Sequence, residues 1–312
     1  MDCLMSLITS SSKGVFVIAV TPFADDGAID TDSIDSVTDF YLETGADGLT
    51  ILGMMGEAPK LTHAEALLVT ERTLKRAGDK PVVVGVSAPG LAAMKELTMA
   101  VMDMGAAGVL VAPPATLKTN EQIVAYYHQV VEVLGEDVPV VLQDFPLATG
   151  VPISIATLGQ IIETCPSIVM VKHEDWPGLA KITALREAEA KGRRRVSILC
   201  GNGGIFLPEE MARGADGAMT GFGYPEMMVQ VCSLAASGDM DRAQDLFDAY
   251  LPLVRYEQQP GVGLGARKHV LARRGAIRSA AQRRPGARLA DAAIAEIDRL
   301  ISRQERRLAE LG

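Results

Sequence analysis

Lys172 ends the apolar run Ser167-Ile168-Val169-Met170-Val171-Lys172 and is followed at once by His173, Glu174 and Asp175. A lysine closing a buried strand is desolvated, and desolvation disfavours the ammonium form. The free amine is a nucleophile that can condense with a carbonyl to give a Schiff base. The plainer reading is an ion pair with Glu174 or Asp175 at a strand end. The other residues with chemical potential are Gln143-Asp144, Gly201-Asn202-Gly203-Gly204, Thr220 to Gly223, and the loop Gly53-Met54-Met55-Gly56-Glu57. Cys3, Cys165, Cys200 and Cys232 lie far apart, and the four histidines form no His-Glu-x-x-His arrangement, so no metal site is expected. One lysine surrounded by amides and glycines favours covalent amine chemistry, with no cofactor beyond the imine itself.

These residues need a scaffold that brings them together. Short apolar runs at 15–22, 48–52, 81–87, 108–113, 139–145, 168–174, 197–201 and 217–221 alternate with amphipathic segments such as 32–43 and 62–76. Successive runs start about 20–35 residues apart, the length of one strand, one helix and two loops. Gly45-Ala46-Asp47-Gly48, Gly105-Ala106-Ala107-Gly108 and Gly214-Ala215-Asp216-Gly217 each fall where a helix ends and a strand begins. Glycine there supplies a left-handed helix stop. Eight such units predict an α/β fold, a (β/α)8 TIM barrel with a C-terminal helical extension. The expected divisions are an N-terminal segment 1–14, a barrel 15–235 and a helical domain 236–312.

In such barrels chemistry sits at the C-terminal ends of the strands. That end collects the loop after the second strand, Gln143 on the fifth, Lys172 on the sixth, Gly201 and Asn202 after the seventh and Thr220 on the eighth. The last three are expected to bind substrate, and the glycine-rich amides there suit a bare carboxylate better than a phosphate. Period-two alternation puts Met170, Lys172 and Glu174 on one face, with Glu174 near or beyond the rim, and turns His173 away as a satisfied structural histidine. Glu57 reads as a loop anchor rather than an acid. Met54 and Met55 are placed to line an apolar substrate pocket.

Composition narrows the partners. A net charge of −9 gives no general attraction to nucleic acid or anionic membrane. The basic run from Arg267 to Arg284 lacks interleaved aromatics and reads as a solvated surface. Scattered cysteines, no signal-peptide pattern and no membrane-spanning apolar stretch point to the cytoplasm.

Several segments resemble, in order, the class I Schiff-base aldolases that include dihydrodipicolinate synthase and N-acetylneuraminate lyase. They are Val20-Thr21-Pro22-Phe23, Gly53 to Glu57 (similar to Gly-Thr-Thr-Gly-Glu), Gln143 to Gly150 (similar to Tyr-Asn-x-Pro-x-x-Thr-Gly) and Val171-Lys172. Near the C-terminus Lys268, Leu271, Gly275, Arg284-Pro285 and Leu289 complete the pattern. The resemblance implies a barrel with a C-terminal helical domain, assembled as a homotetramer. It also implies an imine between Lys172 and pyruvate or another small 2-oxo acid, whose carboxylate is held by the loop at Met54 and Met55.

The departures are chemical. Gln143 stands where the family has its proton-shuttling tyrosine, and an amide does not titrate. Met54 and Met55 replace both hydroxyl residues of the loop. Ala148 stands where dihydrodipicolinate synthases carry arginine, and Pro113-Pro114-Ala115-Thr116 offers no counterpart to the tyrosine usually lent by a neighbouring subunit. The expectation is therefore a lyase or aldolase other than an authentic dihydrodipicolinate synthase. The alternatives are a dehydratase of a sugar-derived 2-oxo acid and a barrel that binds a small acid without turnover. The proton carrier is Glu174, or a water held by Gln143, Thr220 or Ser87, or the substrate's own carboxylate.

Overall fold

The computed structural model describes residues 7–311. Residues 1–6, with Cys3 and part of the expected N-terminal segment, lie outside them.

Eight parallel strands pair in sequence order and close on themselves. They are β1 (Gly14–Ile18), β2 (Gly48–Ile51), β3 (Val82–Gly85), β4 (Gly108–Val111), β5 (Val140–Asp144), β6 (Ile168–His173), β7 (Ser197–Cys200) and β8 (Gly217–Ala218). Each is shorter than its apolar run, because the run continues into the loop at the C-terminal mouth. The helices between them are α1 (Thr31–Glu43), α2 (His63–Ala77), α3 (Leu91–Asp103), α4 (Asn120–Leu134), α5 (Pro146–Thr149), α6 (Ile155–Thr164), α7 (Leu179–Ala190), α8 (Leu207–Ala212) and α9 (Pro225–Ala236). Three more follow: α10 (Met240–Glu257), α11 (Gly263–Arg273) and α12 (Asp291–Leu311).

Strand alternation divides the apolar residues into two layers. Phe16, Ile18, Val83, Leu110, Val141, Met170, Leu199 and Met219 fill the barrel, closed at the N-terminal end by Ile8. Val17, Leu49, Val84, Val111, Leu142, Val171 and Ile198 face outward under the helices. Packing inside is tight: a Cβ on Gly48 would stand 2.7 Å from the Phe16 ring. The repeated glycines do what their position predicts, since Gly45, Gly105 and Gly214 have φ of 92°, 101° and 92°. Among the described residues no helix is long and apolar enough to cross a membrane.

The C-terminal helices are tied to the mouth by a buried cation. Lys268 Nζ on α11 donates to Glu57 Oε1 at 2.6 Å, to Thr21 O at 2.8 Å and to Ala281 O at 2.8 Å, and it lies over the Phe23 ring. Glu57 also accepts from Lys60 Nζ and from the Arg283 amide. Glu57 is thus an anchor for the loop after β2. With every polar valence filled, the cluster fixes that loop against the C-terminal helices instead of leaving a costly unpaired charge.

Candidate active site

β5, β6 and β7 run side by side, and their register places Gln143 opposite Lys172 and Lys172 opposite Leu199. Because Val141, Met170 and Leu199 fill the barrel, Gln143 and Lys172, two residues further along their strands, point into its mouth. The ladder continues one residue past β6, since the Glu174 amide donates to Asp144 O at 2.9 Å. That extra pairing turns Glu174 to the same side as Lys172. Glu174 is buried, not beyond the rim.

Glu174 is the hub. Its Oε2 lies 2.9 Å from Lys172 Nζ and accepts from Gln143 Nε2 at 2.7 Å. Its Oε1 accepts from the Asn202 amide at 3.3 Å, and its backbone oxygen accepts from Asn202 Nδ2 at 3.0 Å. Of the two readings of this strand end the plainer one holds, with Glu174 and not Asp175 as the lysine's partner. Lys172 stands in a buried ion pair with a carboxylate that can take its proton.

Gly201 explains how a glutamate fits here. A Cβ at that position would stand 2.1 Å from Glu174 Cγ and 2.5 Å from Oε1. Gly201→Ala should displace the carboxylate, lower kcat well below wild type and cost about 1–3 kcal/mol of stability through overpacking. Kinetics and chemical denaturation on one preparation check both; a variant with wild-type kcat would show that Glu174 need not stand where it does.

The remaining expected residues divide. Thr220 Oγ1 accepts from the Gly203 amide at 2.8 Å, and Ser87 Oγ accepts from the Ala112 amide at 2.8 Å, so both bind neighbouring loops. Met55 packs against the residues filling the barrel, whereas Met54 is turned outward, 43% exposed. The pair does not line one pocket: a short helical turn at Met54–Gly56 sends consecutive side chains in different directions. Gly204 and the loop it belongs to lie beside Thr220, held from behind by Gln258 at the end of α10, which a Cβ on Gly203 would strike at 1.8 Å.

A second cluster lies behind the first and was not visible in the sequence. Lys181 on α7 donates to Asp144 Oδ2 at 2.6 Å and to Ile153 O at 2.7 Å, and pairs with Asp175 at 2.7 Å. It pins the loops after β5 and β6 on either side of Lys172. Only its helical spacing could have hinted at an inward direction, and a lysine on α7 otherwise reads as surface. His173 points away from the barrel as alternation requires, but it is not satisfied. Neither ring nitrogen has a hydrogen-bond partner among the described residues, and a Cβ on Gly178 would stand 2.3 Å from Nε2.

Burial first, and Lys181 second, push the His173 pKa down to about 4. Between its ordinary value of 6.5 and about 4, the unfolded chain takes up a proton that the fold refuses. This residue's contribution to stability therefore falls as pH falls through that window. Burial pushes Asp144 up to about 6, which acts in the opposite sense below that pH. In His173→Leu the loss of stability from pH 7.5 to pH 5 should be smaller than in wild type by about 2 kcal/mol. Urea unfolding at the two pH values measures it; equal losses would mean that the imidazole is protonated in the fold.

The fold and the site define a Schiff-base lyase built on a (β/α)8 barrel. The chain belongs to the dihydrodipicolinate synthetase family, whose model matches residues 11–304. It is similar to the L-2-keto-3-deoxyarabonate dehydratase of Azospirillum brasilense, 31% identical over 89% of this chain and 91% of that one. It is also similar to the 4-hydroxy-tetrahydrodipicolinate synthase of Thiobacillus denitrificans, 31% identical over 78% of this chain and 81% of the relative. The crystal structure of a dihydrodipicolinate synthase from Rhodopseudomonas palustris superposes with a TM-score of 0.94 at 56% identity, covering 96% of this chain and 99% of the other.

Proposed function

We propose that Lys172 condenses with pyruvate or another small 2-oxo acid, and that Glu174 carries the protons that a tyrosine carries elsewhere in the family. The observation that supports this most directly is the single carboxylate oxygen shared between Lys172 Nζ at 2.9 Å and Gln143 Nε2 at 2.7 Å. Glu174 takes a proton from the lysine, whose free amine attacks the keto carbon. The same proton returns to the carbinolamine hydroxyl, water leaves and the iminium forms. Glu174, again ionised, then accepts the proton from C3, and the iminium nitrogen takes up the electron pair as an enamine. In the aldol direction the enamine carbon adds to an aldehyde, the new alkoxide is protonated, and water releases the product from Lys172.

Gln143 fits the part of a positioner that donates to the carboxylate and does not titrate. Of the alternative proton carriers, Gln143 is engaged with Glu174, whereas Thr220 and Ser87 each accept one loop amide and keep a hydroxyl proton to hold a water. The backbone amides of Met54 and Met55 are the donors on offer to the substrate carboxylate, since that of Gly56 donates to Gly53 O, with Met55 as an apolar wall. Dihydrodipicolinate synthesis is a poor fit, since Ala148 offers no cation to a second carboxylate.

The Azospirillum relative favours one further reading, dehydration of a sugar-derived 2-oxo acid. It uses the same imine and enamine but expels a hydroxyl in place of forming a carbon–carbon bond. The same proposal carries the cytoplasmic homotetramer that the resemblance implies. Borohydride added with pyruvate, followed by peptide mass spectrometry, tests the imine: the peptide holding Lys172 should gain a carboxyethyl group. No tagging across a panel of 2-oxo acids would leave a barrel that binds small acids without turnover.

A further inference from the structure

Trp176 and Phe206 are the two exposed aromatic side chains among the described residues, at 46% and 38%. They touch each other edge to face, with centroids 5.1 Å apart and planes at 70°. Both belong to the site's own loops. Trp176 follows Lys172 by four residues, so its Cα lies within about 15 Å of the lysine's Cα. Phe206 follows Asn202 by four residues, and Asn202 touches Glu174 through two hydrogen bonds. The Trp176 loop is fixed in place: Asp175 accepts from the Trp176 amide at 2.8 Å and pairs with Lys181. Leu147, after β5, and Met54, after β2, add exposed apolar side chains to the same end of the barrel.

The charges of the mouth argue in the same direction. The eight loops that follow the strands contain two cations, Lys60 and Lys118. Lys60 is held by Glu57 and Arg283 O, and Lys118 donates to Ala115 O. Arg267 on α11 is buried, with Nε donating to Glu257 at 3.0 Å and Nη1 facing Gly221 after β8, away from the loops after β6 and β7. At the Trp176–Phe206 rim, after β6 and β7, the loops offer no cation to a distal phosphate or carboxylate, whereas a ring would meet two aromatic edges.

We propose that the Trp176–Phe206 pair receives an aromatic ring at the end of the substrate distal to its 2-oxo acid group. This deepens the imine reading and rests on it for the other end of the substrate. In the aldol direction the acceptor is then an aromatic aldehyde. The bond formed joins C3 of pyruvate to the aldehyde carbon, and the aldehyde oxygen takes up the proton released from C3.

Trp176 is the chain's single tryptophan, so its fluorescence reports on this rim alone. Wild-type protein is titrated with 2-oxo-4-phenylbutanoate, 2-oxoglutarate and pyruvate. The expected result is a saturable emission change whose midpoint for the phenyl compound lies at least about tenfold below the other two. Phe206→Ala should erase most of that preference and Phe206→Tyr should keep it. Equal midpoints for the three acids, or indistinguishable Ala and Tyr variants, would overturn the proposal. So would a drop in mass by light scattering in Trp176→Ala with Phe206→Ala, which would make the pair a contact between two copies of the chain. Borohydride tagging of wild type by pyruvate reads the imine separately, so the failure of one reading is distinguishable from the failure of the other.

Discussion

Lys172→Met is expected to reduce turnover by more than about a thousandfold and to abolish borohydride tagging entirely. The imine is the electron sink for every later step, so no other residue can substitute for the amine. The variant also leaves Glu174 buried without its cation, which costs about 3–5 kcal/mol when one partner of such a pair is removed. Loss of activity through misfolding must therefore be separated from loss of chemistry. Lys172→Arg does this, because a guanidinium keeps the positive charge beside Glu174 but does not condense with a ketone. It should melt closer to wild type than the Met variant and remain untagged and inactive. Turnover in the Arg variant would place the chemistry on another group.

Glu174→Gln should lower kcat by about a hundredfold to ten-thousandfold, the range that a positioned general acid-base contributes. The shape of the side chain is kept, and the amide oxygen can still accept from Gln143 Nε2. What disappears is a group able to take the lysine's proton and then the proton from C3. Because imine formation and enamine formation both need that transfer, single-turnover tagging with pyruvate should slow together with kcat. A KM within a few-fold of wild type would show that substrate binding is retained. A variant as fast as wild type would eliminate Glu174 as the proton carrier and return the role to a bound water or to the substrate's carboxylate.

The two experiments also bear on the relatives. Gln143 stands where the family resemblance implies a tyrosine, so this site has no phenol. A neighbouring strand residue that restores a titratable group is a small change of sequence with a large chemical consequence. It requires Gly201 just past the end of β7, since any Cβ there would occupy the volume of the carboxylate. Glu174 and Gly201 therefore form one unit, and Gln143 orients it.

Periodicity alone made the barrel legible. Eight apolar runs at regular spacing imply a parallel sheet covered by helices, here closed, and left-handed glycines at Gly45, Gly105 and Gly214 set the helix stops. Alternation along β6 was enough to send Lys172 inward and His173 outward, because the side-chain period of a strand is fixed by its pleat. The identity of Glu57 as an anchor also followed from its loop, although its partner Lys268 lies 211 residues away.

Tertiary structure decided what each of these side chains meets. The apolar strand left a bare amine and an ion pair both open; the fold selects the pair, with Glu174 turned inward by one additional ladder bond. Opposite fates for Met54 and Met55 came from a three-residue turn too short to show any period. Lys181 looked like a surface residue until α7 laid it across the loops after β5 and β6. Trp176 and Phe206, thirty residues apart in the chain, became neighbours only when β6 and β7 paired. Local pattern fixes which way a side chain points, because that depends on backbone geometry within a few residues. Partners such as Lys181 for Asp144 and Phe206 for Trp176 are contributed by remote segments, whose distance and orientation are set by closure of the sheet.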